Sequence, residues 1–197
     1  MKTICLLVGI IFFTGCSKNF DHTDRPVVKE VEPKPGQYSV FTIQKGAHYC
    51  DQNLIKSIAI SEMKFMVKFD SSGIYQTGLP ENQYAINKLW GFSEGTNNHY
   101  NSARIGWSWT DNALRLYGYV YVRGEMHYQE ITSVTIGTEI SCSIKLAEEN
   151  YLLTVNGVSV SLPRGSSGSQ ASGYQQYPYF GGNETAPHLI TILIKSL

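Results

Sequence analysis

Arg115, Tyr117, Tyr119, Tyr121 and Arg123 recur at every second position of one segment, so three phenols stand in a row bracketed by two guanidinium groups. That set suits polyhydroxyl ligands: a tyrosine ring offers an apolar face to a sugar ring, its hydroxyl both donates and accepts, and arginine adds a fan of donors. The intervening Leu114, Leu116, Gly118, Val120 and Val122 are apolar or small. In a strand the two sets point to opposite faces, and burying the arginine-bearing one would strand two charges. The aliphatic set must therefore face the interior, and the tyrosines stand on the outer face of a sheet. There they either bind a ligand or simply pack against cross-strand neighbours, since tyrosine favours strands for that reason too.

A second group of reactive types is His99, Tyr100, Asn101 and Arg104, at a loop-to-strand junction after the polar run 93–98. A base, a phenol and an arginine brought into one cleft would support proton abstraction beside a carboxylate, as in a polysaccharide lyase. His48 and His188 are isolated in the sequence, and no zinc-type spacing occurs among the five histidines and four cysteines, so neither a metal nor a cofactor is expected. Gly181-Gly182-Asn183-Glu184 could offer oxygen ligands to calcium, but the same letters make an ordinary turn. Trp107 and Trp109 share the phase of Ala103 and Ile105, which places them in the core rather than on a sugar platform.

The elements that must position these groups read as short strands. Met63, Phe65, Val67 and Phe69 alternate with more polar neighbours before the turn Asp70-Ser71-Ser72-Gly73, and Ile140, Cys142, Ile144 and Leu146 repeat the pattern. Tyr151, Leu153 and Val155 lead into Asn156-Gly157, a strong hairpin signal, and Val158, Val160 and Leu162 lead away from it. Leu189 to Ile194 is apolar on both faces apart from Thr191, which suits a strand in the middle of a sheet. No amphipathic helix pattern of useful length occurs. Thirteen tyrosines, eighteen glycines and only 16% charged residues agree with an all-β domain, an antiparallel β-sandwich or jelly roll. Sixteen basic residues balance sixteen acidic ones, so no nucleic-acid footprint is present. Cys50 and Cys142 are expected to be either two separate buried thiols or a disulfide, and closing a loop of about 90 residues would contribute roughly 4–5 kcal/mol.

The amino-terminal segment has a chemistry of its own. Lys2, the apolar run Ile4 to Phe13 and the small residues Thr14 and Gly15 follow the order of a signal peptide, and a run of ten is too short for a membrane-spanning helix. Phe13-Thr14-Gly15-Cys16 resembles the bacterial lipobox, which implies that the Cys16 thiol is acylated and that several acyl chains anchor the protein. Residues 17–36, with Pro26, Pro33 and Pro35, read as a tether, and Lys18 with Asp21 loosely resembles a surface-export signal. The expected layout is signal peptide 1–15, lipidated amino terminus and tether 16–36, and sandwich domain 37–197. The expected location is a membrane, the outer one, facing the periplasm or the cell surface.

Four stretches together carry a family resemblance: Lys45-Gly-Ala-His-Tyr-Cys50, Asn82 to Gly91, Asn101-Ser-Ala-Arg-Ile-Gly-Trp107 and Tyr177 to His188. On them the chain resembles uncharacterised lipoproteins of the Bacteroides group, which implies origin and fold without implying an activity. The close of the chain, from Tyr179-Phe180-Gly181-Gly182 through Ala186-Pro187-His188 to an apolar strand, also resembles concanavalin-like jelly rolls, including alginate-lyase-type enzymes. The Gln-(Ile/Val)-His and Tyr-x-Lys-x-Gly-x-Tyr-x-Gln motifs of those lyases are missing. So is the Glu-x-Asp-x-x-Glu strand of retaining glucanases. Three functions remain open: a non-catalytic glycan-binding lipoprotein using the 115–123 face with His99 and Arg104, a structural or protein-interaction lipoprotein, and a lyase or hydrolase with an unfamiliar site.

Overall fold

Alternating segments such as 63–69 and 114–123 can bury their apolar faces only by pairing into sheets and setting one sheet against another. The computed structural model describes residues 36–197, which belong to one compact unit, Pro33–Leu197. The expected signal peptide, Cys16 and the tether up to residue 35 lie outside the described residues.

Twelve strands are present among the described residues: β1 (Ser39–Ile43), β2 (Ser57–Ile60), β3 (Glu62–Phe69), β4 (Asn87–Ser93), β5 (Ser102–Thr110), β6 (Ala113–Val122), β7 (Glu125–Val134), β8 (Ile140–Ala147), β9 (Asn150–Val155), β10 (Val158–Pro163), β11 (Ala171–Gln176) and β12 (Ile190–Ser196). They form two six-stranded sheets, β1-β12-β3-β8-β9-β10 and β2-β11-β4-β5-β6-β7. Every ladder between these strands is antiparallel. Phe41, Phe65, Phe69 and Ile192 of the first sheet share one buried core with Trp90, Phe92, Ile105, Trp107, Leu116 and Val120 of the second. Gly118 lets the sheets approach, since a Cβ there would lie 3.0 Å from Leu162 and Val160. The molecule is thus an antiparallel β-sandwich of the jelly-roll class.

Trp107 is fully buried and Trp109 packs against the core. Asn156 and Gly157 make the tight hairpin between β9 and β10, with φ values of 47° and 84°, a backbone that asparagine and glycine adopt most readily. Cys50 and Cys142 are separate buried thiols, and burial pushes the Cys50 thiol up to about 12. The apolar run at 189–194 does lie between two strands, but Leu189 precedes β12 and is exposed. Val158 is exposed as well, because β10 is the edge of its sheet. Glu184 has partners within the chain: its carboxylate accepts hydrogen bonds from Gly78 N (2.7 Å), Leu79 N (2.9 Å) and Asn82 Nδ2 (2.6 Å). It clamps two loops together, and no metal-binding cluster of histidine, cysteine or acidic residues occurs among the described residues.

One irregularity in β4 shapes the outer face of the second sheet. Lys88 pairs with Gly106 and Trp90 with Ile105, so Leu89 is an extra residue in the ladder. This bulge turns Leu89 and Trp90 both into the core and leaves Lys88 and Gly91 on the outer face.

Candidate functional site

The floor of the site is the outer face of β11, β4 and β5, with β6 beside it, and two side chains here lie across glycines of a neighbouring strand. Gly91 of β4 pairs with Arg104 of β5, and a Cβ at Gly91 would sit 2.9 Å from Arg104 Cγ and 2.1 Å from the carbonyl oxygen of Ala103. Only glycine leaves room for Arg104 to run flat over β4 toward Gln176 of β11, which pairs with Gly91. In the same way Gly106 of β5 lies between Lys88 and Tyr117 in the register, and its side-chain position faces Tyr119 Cβ at 3.6 Å. The Tyr119 ring thereby meets Lys88, whose Nζ lies 5.1 Å from the ring centre.

Arg104 is 3% exposed, and Nη2 donates to the carbonyl of Asn98 at 3.1 Å and to Gln176 Oε1 at 3.4 Å. Its buried Nε has no hydrogen-bond partner. Burial brings this guanidinium down to about 10, which still leaves it charged at neutral pH. Lys88 is brought down to about 8 by burial and then by the charge of Arg104. Among the described residues neither cation has a carboxylate within ion-pair distance. His99 comes from the loop between β4 and β5, where Asn97 Oδ1 accepts from its backbone N–H. Its ring meets Tyr121 with centres 5.1 Å apart. Burial, then Arg104 and Lys88, hold its pKa below the usual histidine value, so the imidazole is neutral at pH 7. The Tyr119 hydroxyl donates to that of Tyr121 at 3.5 Å.

One wall of the site is aromatic. Tyr179, in the segment after β11, stacks on His48 with centres 5.2 Å apart and planes at 10°, and Tyr49 meets it edge-on at 4.9 Å. His48 is fixed by donating from Nδ1 to the carbonyl of Phe180 at 2.8 Å. Lys88 Nζ is 5.5 Å from the Tyr179 ring, so the ammonium lies between the faces of two tyrosines. Floor and wall enclose a cleft of about 630 Å³ whose lining includes Tyr49, Tyr179, Lys88, Arg104, His99 and Gln176, with no aspartate or glutamate. Tyr49 is 63% exposed and presents its ring at the rim.

Of the residues singled out from the sequence, His99 and Arg104 line the cleft; Tyr121 meets His99 and Tyr119 meets Lys88, but neither tyrosine belongs to the lining, and Tyr119 is buried rather than open on the outer face. The other three lie elsewhere. Tyr117 turns to Ser108 Oγ at 3.1 Å. Arg115 is occupied at the far end of β6 by Glu130 (3.0 Å) and Asp111 (3.3 Å). Arg123 sits exposed in the turn between β6 and β7 with φ 51°, its backbone N–H donating to Asn101 Oδ1 at 2.9 Å. Tyr100 is exposed and also lies outside the cleft lining. Lys88, Tyr49 and Tyr179 fall within the stretches that carried the family resemblance but were not singled out as site residues, and Gln176 was marked by neither alternation nor motif. The one local signal for Lys88 was a cation directly before two large apolar residues in a strand, which period-two alternation cannot place without a bulge.

No protein-family model matches this sequence, and no curated protein does. Solved structures match by fold. The alginate lyase AlyC3 superposes with a TM-score of 0.54 at 9% identity, covering 80% of this chain and 73% of the enzyme. The same lyase in complex with dimannuronate gives 0.52 at 10% identity, covering 80% and 72%. The Crh5 transglycosylase in complex with NAG gives 0.52 at 11%, covering 84% and 76%. Identity this low shows a shared jelly-roll fold and carries no residue roles across.

Proposed function

We infer that this chain is a membrane-anchored lipoprotein whose jelly-roll domain holds a glycan in the cleft on the outer face of the second sheet. One observation carries the reading: an aromatic wall, exposed Tyr49 and half-buried Tyr179, stands over a floor of side-chain donors that includes Lys88, Arg104 and Gln176. Sugars present apolar C–H faces and rings of hydroxyls, and a wall and floor of this kind match both. The cleft lining has no pair of carboxylates, so the acid and base of an ordinary glycosidase are not there, and binding without hydrolysis fits best. Two of the solved structures with this fold hold sugars, dimannuronate and NAG, in keeping with the reading.

The test is a glycan panel of neutral and acidic polysaccharides applied to the full chain in detergent, with Tyr49→Ala alongside. Binding that the variant weakens supports the cleft. Failure to bind any member would turn the assignment toward a structural or protein-interaction lipoprotein, and pull-down from outer membranes would then be the next step. The anchor rests on Cys16: Cys16→Ser should move the protein from the membrane pellet to the soluble fraction, and unchanged partitioning would remove the lipid anchor from the proposal.

The convergence of neutral His99, Tyr121 and Arg104 favours a second reading, a polysaccharide lyase in which the imidazole removes a proton and a phenol protonates the leaving oxygen. Elimination leaves a carbon–carbon double bond in the product, so ultraviolet absorbance rising with time in a bound glycan separates lyase from lectin.

A further inference from the structure

The cleft holds two cations under unusual conditions. Folded proteins bury an arginine only with its hydrogen bonds satisfied and its charge matched, because the desolvation cost is otherwise uncompensated. Arg104 meets neither condition. It is almost wholly buried, its Nε has no partner, its Nη2 touches only neutral oxygens, and the nearby Lys88 adds a second positive charge where a carboxylate would be expected. Glu94, at the end of β4, does not reach them, because Arg164 and Tyr151 occupy it. Like charges drawn together under a cleft, with a donor left open, make a seat for an anion that is not part of the chain.

Resting on the glycan reading, we propose that the cleft selects acidic sugars, with an oxyanion substituent, a carboxylate or a sulfate ester, seated between the Arg104 guanidinium and the Lys88 ammonium. Tyr119 and Tyr179 hold the ammonium between their faces, while the Tyr49 ring is free to cover a sugar. The site thus reads charge at its floor and ring shape at its rim. Lys88 also gives the site a pH signature. The groups facing it are Arg104 on β5, Tyr119 on β6, Tyr179 after β11 and His99 on the β4–β5 loop. With its ammonium at about 8 in the empty site and raised by a bound anion, binding takes up a proton as pH climbs past that value, and affinity falls.

The experiment is calorimetric titration of the full chain in detergent with three sets of probes: polyuronates (polymannuronate, polyguluronate, polygalacturonate and polyglucuronate) beside their carboxyl-reduced neutral forms, dextran sulfate beside dextran, and unsubstituted glucans and mannans. Polyuronates binding at least about tenfold more tightly than their reduced forms would identify a carboxylate as the occupant, and the same preference for dextran sulfate over dextran would identify a sulfate ester. Lys88→Met should lose that preference and its decline above pH 8, whereas Arg115→Gln, which removes the same charge far from the cleft, should keep both. Arg104→Gln, checked for cooperative unfolding, is the second variant and should also lose the preference. Equal affinity for acidic and neutral forms would overturn the anion seat while leaving glycan binding intact. A preference that Arg115→Gln loses as readily as Lys88→Met would overturn it too, as a diffuse charge effect. No binding to any probe would remove both readings.

Discussion

Two arginines lie in the interior of this molecule under opposite conditions. Arg164 meets Glu94 through a two-pronged contact, Nε to Oε1 at 2.7 Å and Nη2 to Oε2 at 2.8 Å, while Nη1 donates to the carbonyl of Gly168 and Tyr151 donates to the same carboxylate. Arg104, as deeply buried, has no acid and keeps one donor open. Similar burial with opposite satisfaction separates two uses of one side chain. The first links the end of β4 to the segment after β10, across the two sheets, and is complete within the chain. The second is complete only when something from outside arrives.

The contrast between the two arginines is challenged most forcefully at Glu94. Removing one partner of a buried, hydrogen-bonded ion pair costs about 3–5 kcal/mol, so Glu94→Gln should lower the thermal midpoint by roughly 10 °C and leave glycan affinity unchanged. Burial raises the Glu94 carboxyl, but hydrogen bonds from Arg164 and Tyr151 outweigh that and hold it below the ordinary glutamate value. Its contribution is present above the unfolded-state pKa of about 4 and disappears as pH falls through the lower folded value, so wild-type stability should decline in acid more steeply than that of Glu94→Gln.

At Lys88 the expected pattern reverses. Lys88→Met removes a half-buried charge that lacks a carboxylate partner, and the ligand-free protein should gain a few degrees in thermal midpoint at pH 7 while losing binding to acidic glycans. Its folded pKa is depressed to about 8 from 10.5, so the penalty is full below 8 and is relieved as pH rises toward the unfolded value. The gain from Lys88→Met should therefore shrink across that window, as parallel melts at successive pH values would reveal. Smaller still is Tyr49→Ala, which removes one exposed ring and should weaken glycan binding by about 1 kcal/mol, roughly fivefold, with no change in stability. Arg115→Gln cuts surface ion pairs with Glu130 and Asp111 and should shift the midpoint by no more than a degree or two.

Much of the sandwich was legible in the sequence because burial on one face imposes period two: β3, β5, β6, β8 and the β9–β10 hairpin stand where alternation and Asn156-Gly157 put them. The less legible strands had physical reasons to hide. β4 breaks its alternation at Leu89, β7 is an edge strand exposed along most of its length, and β11 is mostly polar. Part of the site was visible for the same reason as the fold, since Arg104 and the neighbouring Tyr119 and Tyr121 sit on strands whose phase is unambiguous and His99 precedes one of them. Gln176, Tyr179 and Tyr49 arrive from segments about 70 or more residues away in one direction and about 50 in the other, by pairings that no local pattern announces.

The extra residue at Leu89 separates two demands made on one strand. A sheet has a frame of two, and one insertion on its upstream side reverses which residues face the interior and which face the world. Because the bulge absorbs that shift within a single residue, Asn87 still points inward to Tyr75 and Gly181 while Lys88 faces outward. With the shift confined there, a change at Leu89 is felt by the core and a change at Lys88 by the cleft, so the two can vary independently.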